Sequence, residues 1–156
     1  MIRRLQRPWF RAIAIGVGIA LAGALIVLVI RGAGSTDPGG LRIGDCFDVP
    51  PATDRIADIR VRSCGGPHDG EVFHMFNTDR ASSDYPSDAD WESIIYPVCD
   101  GAFESYTGTL VAERLDIDYR YFVPTADRWT SGDRRVTCYI TSLGESPLDR
   151  SFRATP

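Results

Sequence analysis

Ser63-Cys64-Gly65-Gly66-Pro67-His68-Asp69-Gly70-Glu71-Val72-Phe73 places a cysteine, a turn, a histidine and the start of a strand in one short stretch. Just upstream, Ile59, Val61 and Ser63 alternate with Arg60 and Arg62, the period of a half-buried strand ending at Cys64. Gly65-Gly66-Pro67 then breaks it. Residues 71–76 read as a second strand, with Val72, His74 and Phe76 on one face and Phe73 and Met75 on the other. Large apolar groups on both faces predict a strand that is central or covered on both sides. The remaining cysteines, Cys46, Cys99 and Cys138, bracket this turn. The second half of the chain therefore reads as a scaffold stapled around it.

Working outward, residues 77–90 are polar and rich in serine and aspartate, a surface loop in which Asp88 or Asp90 can cap a helix. Trp91, Ile94 or Ile95, Val98, Cys99, Ala102, Phe103 and Tyr106 recur at helical spacing and predict one main helix over 91–106, ended by Gly108. Pro97 lies inside it and predicts a kink or a split. Alternating aromatics around 119–123 and the pattern of 135–143 predict two more strands. In the latter, Val136, Cys138 and Ile140 face one way and Thr137, Tyr139 and Thr141 the other. The loop 124–133 between them carries Trp129, and 146–156 lacks a pattern and reads as a frayed tail. These elements make a small α+β domain of short antiparallel strands with one main helix.

The N-terminal part differs in kind. Residues 12–30 carry no charge and as a helix would span about 28 Å, against a hydrocarbon core of about 30 Å. A secretory signal has a shorter apolar region, about 7–15 residues, and Arg31 sits awkwardly before the small residues Ala33-Gly34-Ser35. The segment therefore reads as an uncleaved single-pass transmembrane helix. Arg3, Arg4, Arg7 and Arg11 precede it and Arg31 follows. The positive-inside rule keeps the tail 1–11 cytoplasmic and places the C-terminal domain outside the membrane. Residues 31–40 have the composition of a flexible linker, which leaves 41–145 as the extracytoplasmic domain and 146–156 as its tail. Every one of the 17 basic residues is arginine. Beyond Arg31, twelve of them stand against all 21 acids, a balance of −9. Such a surface repels phosphate backbones and excludes nucleic acid as a partner.

Outside a membrane is an oxidising place, and an even number of cysteines in a small domain reads as a disulfide framework. Cys46, Cys64, Cys99 and Cys138 allow three pairings. Cys46 with Cys64 and Cys99 with Cys138 is preferred, because each joins elements close in the proposed order. The rival, a metal site of cysteines with His68 or His74, lacks the closely spaced ligand pairs of zinc sites, since only Cys64 and His68 lie near each other. His68 is then expected to hydrogen-bond within its turn and His74 to lie on a strand face. No Gly-x-Ser-x-Gly, His-Glu-x-x-His, phosphate loop or dinucleotide fingerprint is present. No catalytic residue, metal or cofactor is expected, and the protein is not expected to be an enzyme.

Gly44-Asp45-Cys46-Phe47, Val61-Arg62-Ser63-Cys64 with Pro67-His68 and Glu71-Val72-Phe73, Cys99 with Phe103 and Tyr106, then Pro124, Trp129, Gly132-Asp133-Arg134 and Val136-Thr137-Cys138 occur in that order. Together they resemble the septum-formation domain of actinobacterial envelope proteins, over residues 41–142. The resemblance implies a membrane-tethered extracytoplasmic domain connected with septation and the cell wall, and it carries no catalytic residues. The expected function is a binding or scaffolding module that recognises a wall polymer or a division protein. An envelope hydrolase using paired carboxylates and a regulatory ectodomain are the alternatives. Trp129, flanked by Asp127 and Arg128, is the best candidate for a stacking surface, with packing into the core as its alternative, and His68 is a further candidate.

Overall fold

The computed structural model of the chain describes residues 35–49, 59–80, 83–144 and 146–155. The basic tail, the transmembrane helix over 12–30 and the start of the linker lie outside the described residues. Among the described residues, no helix is long and apolar enough to cross a membrane.

Six strands form one sheet: β1 (Ser35–Thr36), β2 (Cys46–Asp48), β3 (Ile59–Arg62), β4 (Gly70–Asn77), β5 (Ile117–Phe122) and β6 (Arg135–Ser142). Their spatial order is β1-β3-β2-β4-β6-β5, and every neighbouring pair is antiparallel. β4 is central, as its two apolar faces require. Its alternation is not regular, because the register with β6 shifts between Val72 and His74. Phe73 is the extra residue of this bulge, which reverses the face of everything after it. Phe73 and Phe76 therefore join one core cluster, while Val72 and Met75 join the other. The grouping of Val72 with Phe76 expected from strict alternation is corrected accordingly.

α1 (Asp88–Thr107) covers one face and buries Trp91, Ile95, Cys99 and Phe103, a stripe at helical spacing. Its N-cap is Ser87, not an aspartate. The Ser87 hydroxyl accepts from the Asp90 N–H, and the Asp90 carboxylate accepts from the Ser87 N–H in return. Gly108 ends it at φ 75°, a left-handed position that glycine adopts without strain. Pro97 does not split the element, which runs as one helix. Pro97 and Ser93 are both exposed, so the Ser93 carbonyl left without an N–H partner faces water. A short helix, α2 (Ala126–Thr130), follows β5.

The opposite face of the sheet buries Leu41, Phe47, Ile59, Val72, Phe122 and Tyr139. Gly70 is needed there, because a Cβ on it would lie 2.6 Å from the Phe47 ring. Both expected disulfides are present, Cys46–Cys64 and Cys99–Cys138. The first ties β2 to the turn before β4, and the second ties α1 to β6.

Two expectations about the ends of the domain are corrected. Ser35–Thr36 pairs with Ile59 and Arg60, and Pro38–Gly40 forms a 3-10 turn capped by the Asp37 carboxylate. The later part of the expected linker is therefore ordered into the sheet. The segment expected to fray docks instead. His68 and Leu148 exchange two backbone hydrogen bonds, at 2.9 and 2.8 Å, and Leu148 is buried. The reason is Glu71, a carboxylate with no exposed surface. It accepts from the Ser151 hydroxyl at 2.5 Å, the Phe152 N–H at 2.7 Å and the Tyr106 hydroxyl at 2.8 Å. A buried charge is tolerated only when its lone pairs are occupied, and two of these three donors come from the C-terminal segment.

Candidate functional site

Trp129 is 1% exposed and cannot be the stacking surface expected from the sequence. Its ring meets Trp91 edge-on at 5.4 Å and Tyr85 at 6.2 Å, and the Arg134 guanidinium lies over it at 3.7 Å. α2 is too short to hold an amphipathic face of its own, so its one large apolar side chain turns into the core. Asp127 and Arg128 are exposed. Arg128 is held by Asp133 at 3.0 Å and Asp37 at 3.5 Å, beside a groove of about 470 Å³ lined also by Gly39, Ser131, Gly132 and Arg135. His68 belongs to a different part of the fold. It is 1% exposed, and its Nδ1 meets the Gly66 carbonyl at 2.7 Å, the turn-stabilising role read from the sequence. The four residues expected to form one binding surface thus separate into a core indole, a paired surface arginine with its neighbouring aspartate, and a buried turn histidine.

Sequence spacing also missed a cluster around the first disulfide. A ring nitrogen of His68, the Cys46 sulfur and a Glu71 carboxylate oxygen lie within 4.8 Å of one another. Cys46 is bonded to Cys64 and offers no thiolate, and Glu71 already accepts three hydrogen bonds. Two donors fall short of the four-coordinate site a structural zinc requires.

A surface that presents a cluster of aromatic rings lies where α1 runs beside β5. Tyr96 is 43% exposed and packs edge-on against Tyr119 and against Tyr121, each at 6.4 Å. The Tyr119 hydroxyl donates to Asp100 at 2.5 Å, and the Tyr119 N–H, on the outermost strand, donates to its neighbour Asp118 at 2.7 Å. Asp88, Glu92, Tyr96 and Asp100 follow one another at four-residue steps and are all exposed, a single ridge along α1. Partial burial, then the hydrogen bond to Asp100, pushes the Tyr119 phenol far above its usual range. Burial, then the nearby Tyr96, Glu92 and Asp88, raises that of Tyr121. Among the described residues, Asp88, Glu92 and Asp100 form no ion pair with an arginine. The four-residue spacing was visible in the sequence. The arrival of Tyr119 and Tyr121 beside it was not, because that depends on β5 pairing with β6 at the sheet's edge.

On the other flank of α1, the bulge in β4 turns His74 into an apolar groove of about 440 Å³ with Phe73, Val98, Gly101, Ala102, Ser105 and Tyr106. Burial lowers the His74 pKa below its ordinary value, so the ring is neutral near pH 7.

Residues 43–155 match the family model described as Septum formation. No curated protein and no solved structure matches the chain. The match runs past the second disulfide to the end of the docked C-terminal segment, in accord with that segment's place in the fold.

Proposed function

The chain belongs to the septum-formation family, and from that premise we propose that it is a membrane-anchored, extracytoplasmic binding module of the cell envelope, acting in septum formation through the aromatic face between α1 and β5. The observation that carries this reading is the exposed Tyr96 ring set against Tyr119 and Tyr121. Aromatic side chains with a polar tip and few rotatable bonds are the usual anchors of recognition surfaces. The uncharged run 12–30 and its arginine-rich cytoplasmic flank support the anchoring. The two disulfides support an oxidising location.

The test is crosslinking and capture in intact cells with the full-length protein, run beside Tyr96→Ala. Recovery of an identified division or wall-synthesis protein, or of wall polymer, that Tyr96→Ala abolishes is the expected result. Recovery indifferent to Tyr96→Ala, or a C-terminal domain inaccessible to protease added outside the cells, refutes the reading.

A further inference from the structure

We propose that the face between α1 and β5 receives an extended segment of a partner protein that carries arginine or lysine at alternate positions. This rests on the binding-module reading above and names the chemistry of its ligand. Two observations carry it, the charge of the face and its period.

Along the α1 ridge the charge is one-signed: Asp88, Glu92 and Asp100 flank Tyr96, and the Tyr119 and Tyr121 rings lie beside them. The exposed Arg120 of β5 alternates with these two tyrosines and reaches the opposite face, toward Tyr139. A cation is drawn to the negative face of an aromatic ring as well as to a carboxylate. An acid-flanked tyrosine surface therefore complements a guanidinium or ammonium group twice over. It repels an anion, and a neutral polymer makes no use of the carboxylates' charge.

The period selects the kind of partner. Positions 88, 92, 96 and 100 climb the helix in steps of about 6 Å. In an extended chain, side chains on one side recur every ~6.8 Å. A segment lying along the ridge meets Asp88, Glu92, the Tyr96 ring and Asp100 in turn with every second residue, and a compact cation meets only one of them. Tyr121 flanks the end of the ridge near Asp88 and Glu92, and Tyr119 flanks the Asp100 end, so β5 forms the second wall of the track. The Tyr119 N–H is already taken by Asp118, which removes one of the donors β5 could offer an added strand and shifts recognition toward side chains.

The full-length protein is titrated with fluorescent octapeptides: alternating arginine and serine, the same composition in two blocks, and alternating glutamate and serine. The alternating arginine peptide is expected to bind about tenfold more tightly than the blocked one, with affinity falling steeply as salt rises. The glutamate peptide is expected not to bind. Glu92→Gln and Tyr96→Ala should each weaken binding about tenfold, while Asp127→Asn, an exposed acid outside this face, should not. Both ridge positions are exposed, and an unchanged melting temperature confirms that each variant folds. Equal binding of the alternating and blocked peptides, or equal effects of Glu92→Gln and Asp127→Asn, overturns the proposal. Absence of peptide binding overturns it as well. If the protein then sediments with purified wall polymer in a Tyr96-dependent way, the binding-module reading stands and the ligand is a polymer. If neither ligand depends on Tyr96, both readings fail.

Discussion

Replacing Trp129 by alanine should unsettle the fold and leave recognition alone, the reverse of what an exposed indole would give. The ring is 1% exposed, so the transfer and cavity terms apply almost in full, and Trp→Ala at such a site costs about 3–5 kcal/mol. The Arg134 guanidinium 3.7 Å from its centre adds about 1 kcal/mol of cation–π attraction that is also lost. One term acts the other way. The buried Trp129 Nε1–H has no hydrogen-bond partner among the described residues, and removing such a group relieves about 1 kcal/mol or more. The two nearly cancel, which leaves a loss of about 3–5 kcal/mol, or about 15 °C in Tm for a domain of this size. Trp129→Phe separates the terms, because it keeps an edge-on ring against Trp91 and discards the orphaned donor. It should cost about 1 kcal/mol or less. Urea unfolding of the oxidised protein, followed by far-UV circular dichroism at constant m-value, measures both. A loss below about 1 kcal/mol for the alanine variant, together with lost ligand capture in the cold, would refute the core assignment.

The other predictions concern the staples, the docked segment and one phenol. Removing Cys99–Cys138, with its separation of 39 residues, should cost about 4 kcal/mol in the chain-entropy picture, and removing Cys46–Cys64, with its separation of 18, about 3 kcal/mol. Equal melting temperatures for the two double-serine variants and the parent would count against both. Ending the chain after Pro147 removes the Ser151 and Phe152 donors from Glu71; a loss of about 3 kcal/mol is expected by urea titration, and an unchanged midpoint would show the segment to be idle. Partial burial, then the hydrogen bond to Glu71, raises the Tyr106 phenol to about 12. The unfolded phenol ionises near 10, so this stabilisation is complete below about pH 10 and is lost as pH rises toward about 12. Ultraviolet titration should show a late phenolate step that Tyr106→Phe removes; a Tyr106 that ionises near 10 would contradict the clasp.

Much of the fold was legible because it rests on local patterns. The α1 stripe of Trp91, Ile95, Cys99 and Phe103 follows from helical spacing, and β6 follows from the alternation of Val136, Cys138 and Ile140 with Thr137 and Tyr139. The disulfide pairing came once those elements were ordered. Errors arose where a single residue changes the geometry of its neighbours. The bulge at Phe73 reverses the faces beyond it, and nothing in Glu71-Val72-Phe73-His74 marks it. Pro97 read as a kink or a split, and the split does not occur because the residue whose carbonyl loses its partner, Ser93, lies on the exposed side of the helix.

The candidate site was hardly legible at all. Trp129 between Asp127 and Arg128 has the local composition of an exposed anchor, and only the arrival of Trp91, Tyr85 and Arg134 from distant parts of the chain encloses it. Residues 146–155 have no pattern because they are held at separate points, the His68 backbone, the Tyr106 carbonyl and the buried Glu71 carboxylate, and not by a periodic surface. By itself, the sequence determined the helix stripe, the four longer strands, the staples and the charge, since periodicity and composition are local properties. The tertiary structure alone decided which aromatics are core and which are surface, and brought Tyr119 and Tyr121 to the acid ridge of α1. Burial is set by what packs against a side chain, and those neighbours are chosen by strand order and register.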